Sequence, residues 1–420
     1  MTGGTTRRPL ADWLGYIERQ HPQPIALGLE RVAEVFHRLA IRISCPIVTV
    51  GGTNGKGSTC ALLEAILSCA GYRTGLYTSP HLLRYNERVR IAGREAHDAG
   101  LADAFAAVES ARGATPLTYF EFGTLAALHL FSKENLDVAV LEVGLGGRLD
   151  AVNVVDADCV VLTSVGIDHS EYLGSTREAI GREKAGIFRA AMPAVVADPS
   201  PPASVLEEGR RIGAKLLLIG RDFGYQAQGT QWAYWGPAGK RSGLAHPALR
   251  GVAQLRNASA AIAALDALRE RLPIAMKDVR RALSGVVLPG RFQVLPGRPQ
   301  LVLDVAHNPE AAAVLAANLG DSGFSPETIA VFGMLKDKDI AGVVRAVAPR
   351  ITRWHLATLP GPRGADSSYL KEMLLEEKIQ NPVFEYASVA EALAAAKSEA
   401  AENDKIVVFG SFLTVAGAYG

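Results

Sequence analysis

Residues 46–71 read PIVTVGGTNGKGSTCALLEAILSCAG, and this stretch decides the fold class. PIVTV is a short β-branched run, the pattern of a buried strand, and CALLEAILSCAG has the apolar spacing of an amphipathic helix. Between them lie Gly51, Gly52, Thr53, Asn54, Gly55, Lys56, Gly57, Ser58 and Thr59. Strand, glycine-rich loop, lysine, helix is the layout of a phosphate cradle. Glycines let successive backbone N–H groups turn toward phosphate oxygens, the helix N-terminus adds positive potential, and Lys56 supplies a point charge for the β- and γ-phosphates. The strict pattern G-x-x-x-x-G-K-[ST] is not met, since Val50 stands in the first glycine's place and Gly57 separates Lys56 from Ser58. The expectation from this stretch is a bound nucleoside triphosphate, the alternative being an ordinary glycine-rich strand–helix turn. What receives the phosphoryl group is left open.

Outward from the loop, short β-branched runs alternate with helical patterns: DVAVLEVG (137–144), DCVVLTSVG (158–166), QLVLDVA (300–306), TIAVFGM (328–334) and KIVVFGS (405–411). Such alternation predicts an α/β fold of parallel sheets covered by helices. A proline- and glycine-rich break, VVLPGRFQVLPGRP (286–299), interrupts the series. The expected division is an N-terminal P-loop parallel-sheet ATPase domain over 1–287, a linker over 288–298, and a smaller C-terminal Rossmann-like α/β domain over 299–420. Residues 222–250, rich in Gly, Trp and Tyr, read as a small antiparallel excursion.

The 420 residues carry a formal net charge of +1, with 48% hydrophobic and 21% charged residues. That is the composition of a chain globular throughout, with room for two or three domains. A near-neutral balance offers no broad electrostatic footprint for nucleic acid or membrane. The uncharged stretch 406–420 is too short and too glycine-broken for a membrane span, and MTGGTTRRPL lacks the apolar core of a secretory signal, so the expectation is a cytoplasmic, monomeric protein. Cys45, Cys60, Cys69 and Cys159 show no C-x-x-C spacing and read as reduced thiols.

GTNGKGS (52–58), TSPHLLRYNERVRI (78–91), LEVGLGGRLDAVN (141–153), SVGIDHSEYLG (164–174), IGREKAGIF (180–188), LDVAHNP (303–309) and GMLKDKD (333–339) follow one another in a specific order. In that order, from about residue 27 to the C-terminus, the chain resembles the folylpolyglutamate synthase/dihydrofolate synthase family of the Mur ligase superfamily. The resemblance implies an ATP-dependent amide ligase that adds L-glutamate to dihydropteroate and to reduced folates through an acyl phosphate. It implies an N-terminal domain that binds ATP and pterin and a C-terminal domain that completes the site for ATP and glutamate, with bending at the linker to exclude water.

The same resemblance assigns residues. Thr53, Asn54, Gly55, Lys56, Gly57, Ser58, Asn257, Arg291, Asp304 and His307 are the implied ATP contacts. Ser79, Glu142 and His169 are the implied Mg²⁺ ligands, and Lys184 matches a lysine carbamylated by CO₂ that helps hold a second Mg²⁺. Lys56, His169 and the carbamylated Lys184 are the implied catalytic set. A carbamate needs the neutral amine, hence burial or nearby cations; the alternative for Lys184 is a solvated charge on a helix face. His169 also reads as a structural histidine at a strand end, and Glu142 as a capping or ion-pairing carboxylate.

Ile25, Ala26, Leu27, Gly28, Thr118, Tyr119, Phe120, Glu121, Leu149, Asp150 and Ala151 match stretches that line the dihydropteroate pocket, where Phe120 stacks on the pterin and Asp150 accepts from its ring. Thr118 and Glu121 equally read as a capping box, and Asn308-Pro309 as a helix N-cap with proline at the first helical position. Val152 replaces the threonine of the commoner LDATN pattern. Two rival readings are a Mur ligase acting on a UDP-linked precursor and a nucleotide switch using the loop alone. The glutamate pocket is not legible from any motif.

Overall fold

A computed structural model describes residues 8–23 and 25–419. These divide into two units, one reaching His246 and taking in Arg256–Gly285, the other made of Pro247–Leu255 and the chain from Val286 onward.

In the first unit the strands are β1 (Ile47–Gly51), β2 (Thr74–Tyr77), β3 (Val89–Ile91), β4 (Arg94–Glu95), β5 (Val138–Glu142), β6 (Cys159–Leu162), β7 (Pro193–Val196) and β8 (Lys215–Leu218). They form one sheet in the order β4-β3-β2-β5-β1-β6-β7-β8. From β2 to β8 every pairing is parallel, while β2–β3 and β3–β4 are antiparallel, so the sheet expected to be purely parallel carries an antiparallel edge. Strands β1, β5 and β6 are buried along their whole length, which is why they read as continuous apolar runs with no alternation. Register sets Val50 level with Glu142 on one side and Gly51 level with Leu162 on the other. The turns after β5, β1 and β6 therefore emerge side by side at the carboxyl edge.

Strands β9 (Gly224–Gln228), β10 (Gln231–Gly236) and β11 (Gly239–Ala245) form the antiparallel excursion expected over 222–250. Its inner face buries Trp232 and Tyr234. The Tyr234 hydroxyl donates to Asp266 at 2.8 Å and the Arg241 guanidinium pairs with the same carboxylate. Asp266 lies on the helix Gln254–Ala267, so a buried ion pair and an aromatic face brace that helix.

The second unit has β12 (Gln293–Leu295), β13 (Gln300–Asp304), β14 (Thr328–Phe332), β15 (Arg353–Ala357), β16 (Val383–Tyr386) and β17 (Lys405–Phe409), in the order β12-β13-β17-β14-β15-β16. All pair in parallel except β12 with β13. Two features differ from the sequence expectation. The stretch read as a linker over 288–298 contains β12, a short edge strand between two proline–glycine turns, and Pro247–Leu255 group with the second unit instead of the first. Pro and Gly flanked β12 closely enough to hide a three-residue strand whose partner follows a hairpin. Separate apolar cores fill the units, one around Phe105, Phe122 and Phe131, the other around Phe332, Trp354 and Phe409.

Candidate functional site

The phosphate loop is built on two left-handed glycines, Gly52 at φ 144° and Gly55 at φ 91°. A Cβ on Gly52 would fall 1.9 Å from the Thr163 hydroxyl, so only glycine fits. Thr163 and Ser164, which follow β6, fasten the loop from below. Thr53 N–H donates to the Ser164 carbonyl at 2.8 Å, Asn54 N–H to the Ser164 hydroxyl at 3.0 Å, and the Thr163 hydroxyl to the Asn54 carbonyl at 2.8 Å. The Thr53 hydroxyl accepts from Gly166 N–H at 2.9 Å. Thr53 and Asn54 thus form much of the loop's floor. Lys56 curls back over the loop, its Nζ donating to the carbonyls of Gly52 at 3.0 Å and Thr53 at 3.3 Å. It opens the helix Lys56–Cys69, whose first turn contains Gly57 and the buried Ser58 and whose N-terminal dipole favours an anion at this end.

Around the loop stand the residues expected to hold metal. Glu142 ends β5 with 3% of its surface exposed, and its Oε2 accepts from Ser79 N–H at 3.2 Å. Lys184, on the helix Arg177–Ala185, is 4% exposed and donates to the Gly52 carbonyl at 3.1 Å. The reading of Lys184 as solvated surface charge therefore fails; its neighbour Glu183 takes that role by pairing with Arg148 at 2.7 Å. Burial pushes the Lys184 ammonium down to about 7, helped by the charge of Lys56 and opposed by Asp168 and Asp150. His169 sits in the left-handed region at φ 53° before the short helix Ser170–Leu173, its Nε2 4.0 Å from the Asp168 carboxylate.

Among the described residues no group of three or more His, Cys, Asp and Glu side chains gathers into a cation cage. Mg²⁺ does not need one, because it retains waters and takes one or two carboxylates plus substrate phosphate oxygens. A single buried carboxylate, Glu142, level with the residue that precedes the phosphate loop fits that demand.

The residues expected to face a pterin gather at the start of the helix Tyr119–Lys133 and in the turn after β5. Thr118 caps the helix Tyr119–Lys133 and exchanges hydrogen bonds with Glu121, a capping box as the sequence allowed. The second oxygen of Glu121 accepts from Arg31 at 2.7 Å, and Arg31 also donates to the Ala26 carbonyl at 2.9 Å. Thr118 and Glu121 consequently act as framework that holds the half-buried segment Ile25, Ala26, Leu27 and Gly28 against the helix. The Phe120 ring lies flat on the Cα of Gly144, where a Cβ would meet it at 2.5 Å, and Tyr77 is 6.0 Å away. Asp150, followed by the 3-10 turn Ala151–Val154, accepts from Leu145 N–H at 2.8 Å and Val152 N–H at 3.0 Å. Its carboxyl is pushed up to about 6 by burial. Leu149 is half-buried beside it.

Asn257 is brought to the loop by the braced helix Gln254–Ala267, with its Oδ1 2.8 Å from the place a Gly55 Cβ would occupy. In the second unit, Asp304 ends β13 level with Phe409 of β17. Its oxygens accept from Phe292 N–H at 2.9 Å and Ala306 N–H at 2.8 Å, and burial pushes it up to about 6 against the pull of Arg291. Arg291 lies 5.4 Å over the ring of Phe412, and His307, held through Nδ1 on the Val305 carbonyl at 2.8 Å, is 6.3 Å from the same ring. Asn308 caps the helix Pro309–Asp321. Each unit thus carries a cluster at the carboxyl edge of its central strands, the usual ligand position of open α/β sheets. Thr163, Ser164 and Phe412 were not singled out in the sequence; Thr163 directly precedes and Ser164 opens the quoted motif SVGIDHSEYLG, whereas nothing local marks Phe412.

Comparison with known proteins agrees with this architecture. Residues 50–265 match the Mur ligase middle domain and residues 290–412 the Mur ligase glutamate ligase domain. The dihydrofolate synthase/folylpolyglutamate synthase of Escherichia coli (strain K12) is 46% identical over 409 residues, covering 97% of this chain and 94% of that protein. The solved structure of E. coli FolC in complex with DHPP and ADP superimposes with a TM-score of 0.93 at 45% identity, covering 98% of this chain and 97% of the other. A bifunctional folylpolyglutamate synthase/dihydrofolate synthase with Mn, AMPPNP and L-glutamate bound gives a TM-score of 0.90 at 45% identity, with coverage of 98% and 97%.

Proposed function

The chain belongs to the dihydrofolate synthase/folylpolyglutamate synthase family of Mur ligases, and we propose that the cluster around Gly52 is where it activates a carboxylate with ATP. It is an ATP-dependent ligase that joins L-glutamate to dihydropteroate, forming dihydrofolate, and to reduced folates, forming folylpolyglutamates. Carboxylate and ammonium do not condense unaided in water, so a carboxylate oxygen attacks the γ-phosphorus and the bond to the β-phosphate breaks, releasing ADP. The glutamate nitrogen then attacks the acyl carbon, phosphate leaves, and the amine's proton passes to solvent.

In this reading the loop amides and Lys56 hold the β- and γ-phosphates. Glu142 holds a divalent cation with Ser79 and His169, and that cation, when bound, supplies charge neutralisation at the phosphates. Lys184, as the neutral amine, attacks the carbon of CO₂; the N–C bond forms, one N–H proton passes to solvent, and the side chain becomes a carbamate anion. Asn257 supports the loop at Gly55. Arg291, Asp304 and His307 are nucleotide contacts in the same reading.

The observation that carries the proposal is the place of Lys184: buried, and hydrogen-bonded to the carbonyl of the first loop glycine. A switch that only binds and releases nucleotide has no use for a buried lysine there. ADP release measured with Mg·ATP and L-glutamate, with dihydropteroate or tetrahydrofolate as acceptor and product mass followed, tests it. Turnover with both acceptors and a gain of one glutamyl unit per cycle is expected; no product with either would sink the assignment.

Phe120 stacks on the acceptor in this scheme, with Gly144 as its support. Gly144→Ala drives a methyl into the ring, a misfit of the kind that costs about 1–3 kcal/mol. The expected result is an acceptor KM raised roughly tenfold with KM for ATP unchanged. An unchanged acceptor KM would remove Phe120 from the pocket.

A further inference from the structure

The turn that carries Asp168 and His169 has almost no core of its own. Among the described residues from Ile167 to Thr176 only Leu173 is buried, and Ile167 and Tyr172 leave 44% and 39% of their surface in water. A segment with so few buried apolar contacts is easily displaced, so its geometry is set where its ends are held. One ion pair holds both ends. Asp198 follows β7 and is 6% exposed; its Oδ2 accepts from Val165 N–H at 2.8 Å and from Arg177 Nη2 at 3.2 Å. Arg177 Nε donates to the Val165 carbonyl at 2.8 Å, and Nη2 donates also to the Ser200 carbonyl at 2.9 Å. The other oxygen of Asp198 accepts from Ser200 N–H at 2.9 Å. Val165, where the turn leaves β6, is thus gripped at its N–H and its carbonyl, and the residue gripping the carbonyl is the one where the turn ends.

The helix itself does not call for this arginine. Arg177 is the first residue of the helix Arg177–Ala185, where a cation opposes the dipole. Capping is done by Thr176, whose hydroxyl accepts from Ala179 N–H at 3.2 Å. Nor does stability call for it, since the Arg177 side chain is 43% exposed and ion pairs open to water contribute little. What the pair fixes is position. It closes the turn on which His169 stands at φ 53°, and it anchors the start of the helix that carries Lys184. Resting on the functional reading above, in which Glu142, Ser79 and His169 hold the divalent cation, we infer that Arg177 and Asp198 are positioning residues. By tying Val165 to the start of the next helix they hold the turn so that His169 is presented to the cation.

The test is Mn²⁺ binding, read without turnover from the loss of the free-ion EPR signal at saturating AMPPNP. For Arg177→Met the Mn²⁺ Kd is expected to rise about tenfold to a hundredfold, the range for removing a group that orients a metal ligand. The Kd for ADP in EDTA is expected to stay within about twofold of wild type, because the phosphate loop keeps its own bonds to Thr163 and Ser164. Arg177→Lys keeps the charge, but one ammonium cannot stand at the places of both Nε and Nη2, so its Mn²⁺ Kd is expected to shift in the same direction. That variant carries the test if the methionine variant does not fold. Thr176→Ala loosens the same helix by removing its cap and leaves the ion pair in place; its Mn²⁺ Kd is expected to stay within about twofold of wild type. An unmoved Mn²⁺ Kd in the arginine variants, an equal rise in Thr176→Ala, or a parallel rise in the ADP Kd would each overturn the inference. His169→Ala separates the two levels. A higher Mn²⁺ Kd there with none in the arginine variants defeats the positioning pair alone; no change in His169→Ala defeats the metal reading of His169 and the pair with it.

Discussion

Lys56→Ala is expected to lower kcat by about a hundredfold to a thousandfold, the range for removing one preorganised charge from a developing negative transition state. Phosphoryl transfer leaves little covalent work for the protein, so charge placed in advance at the transferring oxygens is most of what it supplies. Here Lys56 is placed in advance. Its ammonium rests on the carbonyls of Gly52 and Thr53, and Thr163 and Ser164 fasten the loop on either side of them through the Gly51 and Asn54 carbonyls and the Thr53 N–H. KM for the acceptor is expected to change little, because the contact strengthens only as charge develops. Lys56→Arg is expected to rescue poorly, since a wide fork cannot occupy the space of a point charge between two carbonyls. ADP release under saturating substrates measures both variants, and near-normal turnover in the alanine variant would refute the role.

Lys184→Ala is expected to abolish measurable ligation, with partial recovery in formate, acetate or propionate, short carboxylates able to stand where a carbamate would. Carbamate formation needs an uncharged amine. With its pKa pushed down to about 7, roughly half of the Lys184 amines are neutral at pH 7, against roughly one in three thousand for a lysine at 10.4–10.5. The wild-type enzyme stripped of CO₂ is accordingly expected to lose activity and regain it at fixed dissolved CO₂, faster as pH rises from 6 toward 7 and with little further gain above 8. Full activity in Lys184→Ala, or indifference to CO₂, would show that the lysine acts only as a cation.

The same side chain makes a stability prediction whose sign follows from linkage. Its folded-state pKa lies below that of the unfolded chain, so between about 7 and 10.5 the unfolded state binds more protons and stability climbs with pH. Below about 7 the penalty of burying the charge is fully present. Lys184→Met, close in volume and uncharged, is therefore expected to unfold at a higher temperature than wild type at pH 6 while remaining inactive, a common trade at functional positions. A melting temperature below wild type at pH 6 would show that the hydrogen bond to Gly52 outweighs the buried charge.

Local physics made much of this protein legible in one dimension. β1, β5, β6, β13, β14 and β17 were readable as strands because each is a continuous apolar run, which only a strand covered on both faces sustains. The phosphate loop was readable because φ above zero at Gly52 and Gly55 is a single-residue property that glycine alone meets cheaply. Thr118 with Glu121, and Asn308 with Pro309, were readable as caps because capping links neighbours three residues apart. The order of seven motifs carried the family.

What the tertiary structure alone decided involves partners far apart in the chain. Lys184 looked like any Glu–Lys pair on a helix until folding set its Nζ against Gly52, 132 residues away, and excluded water from it. Glu121 read as a pocket candidate or half of a capping box, and only the fold adds that Arg31, 90 residues earlier, holds its second oxygen. Asp150 and Asp304 read as free acceptors, yet each has both oxygens on backbone N–H groups of a turn. Backbone preference is set by a residue and its neighbours, so sequence determined the elements. Burial, charge pairing and pKa are set by whatever the fold brings within a few ångströms, and those belong to the tertiary structure.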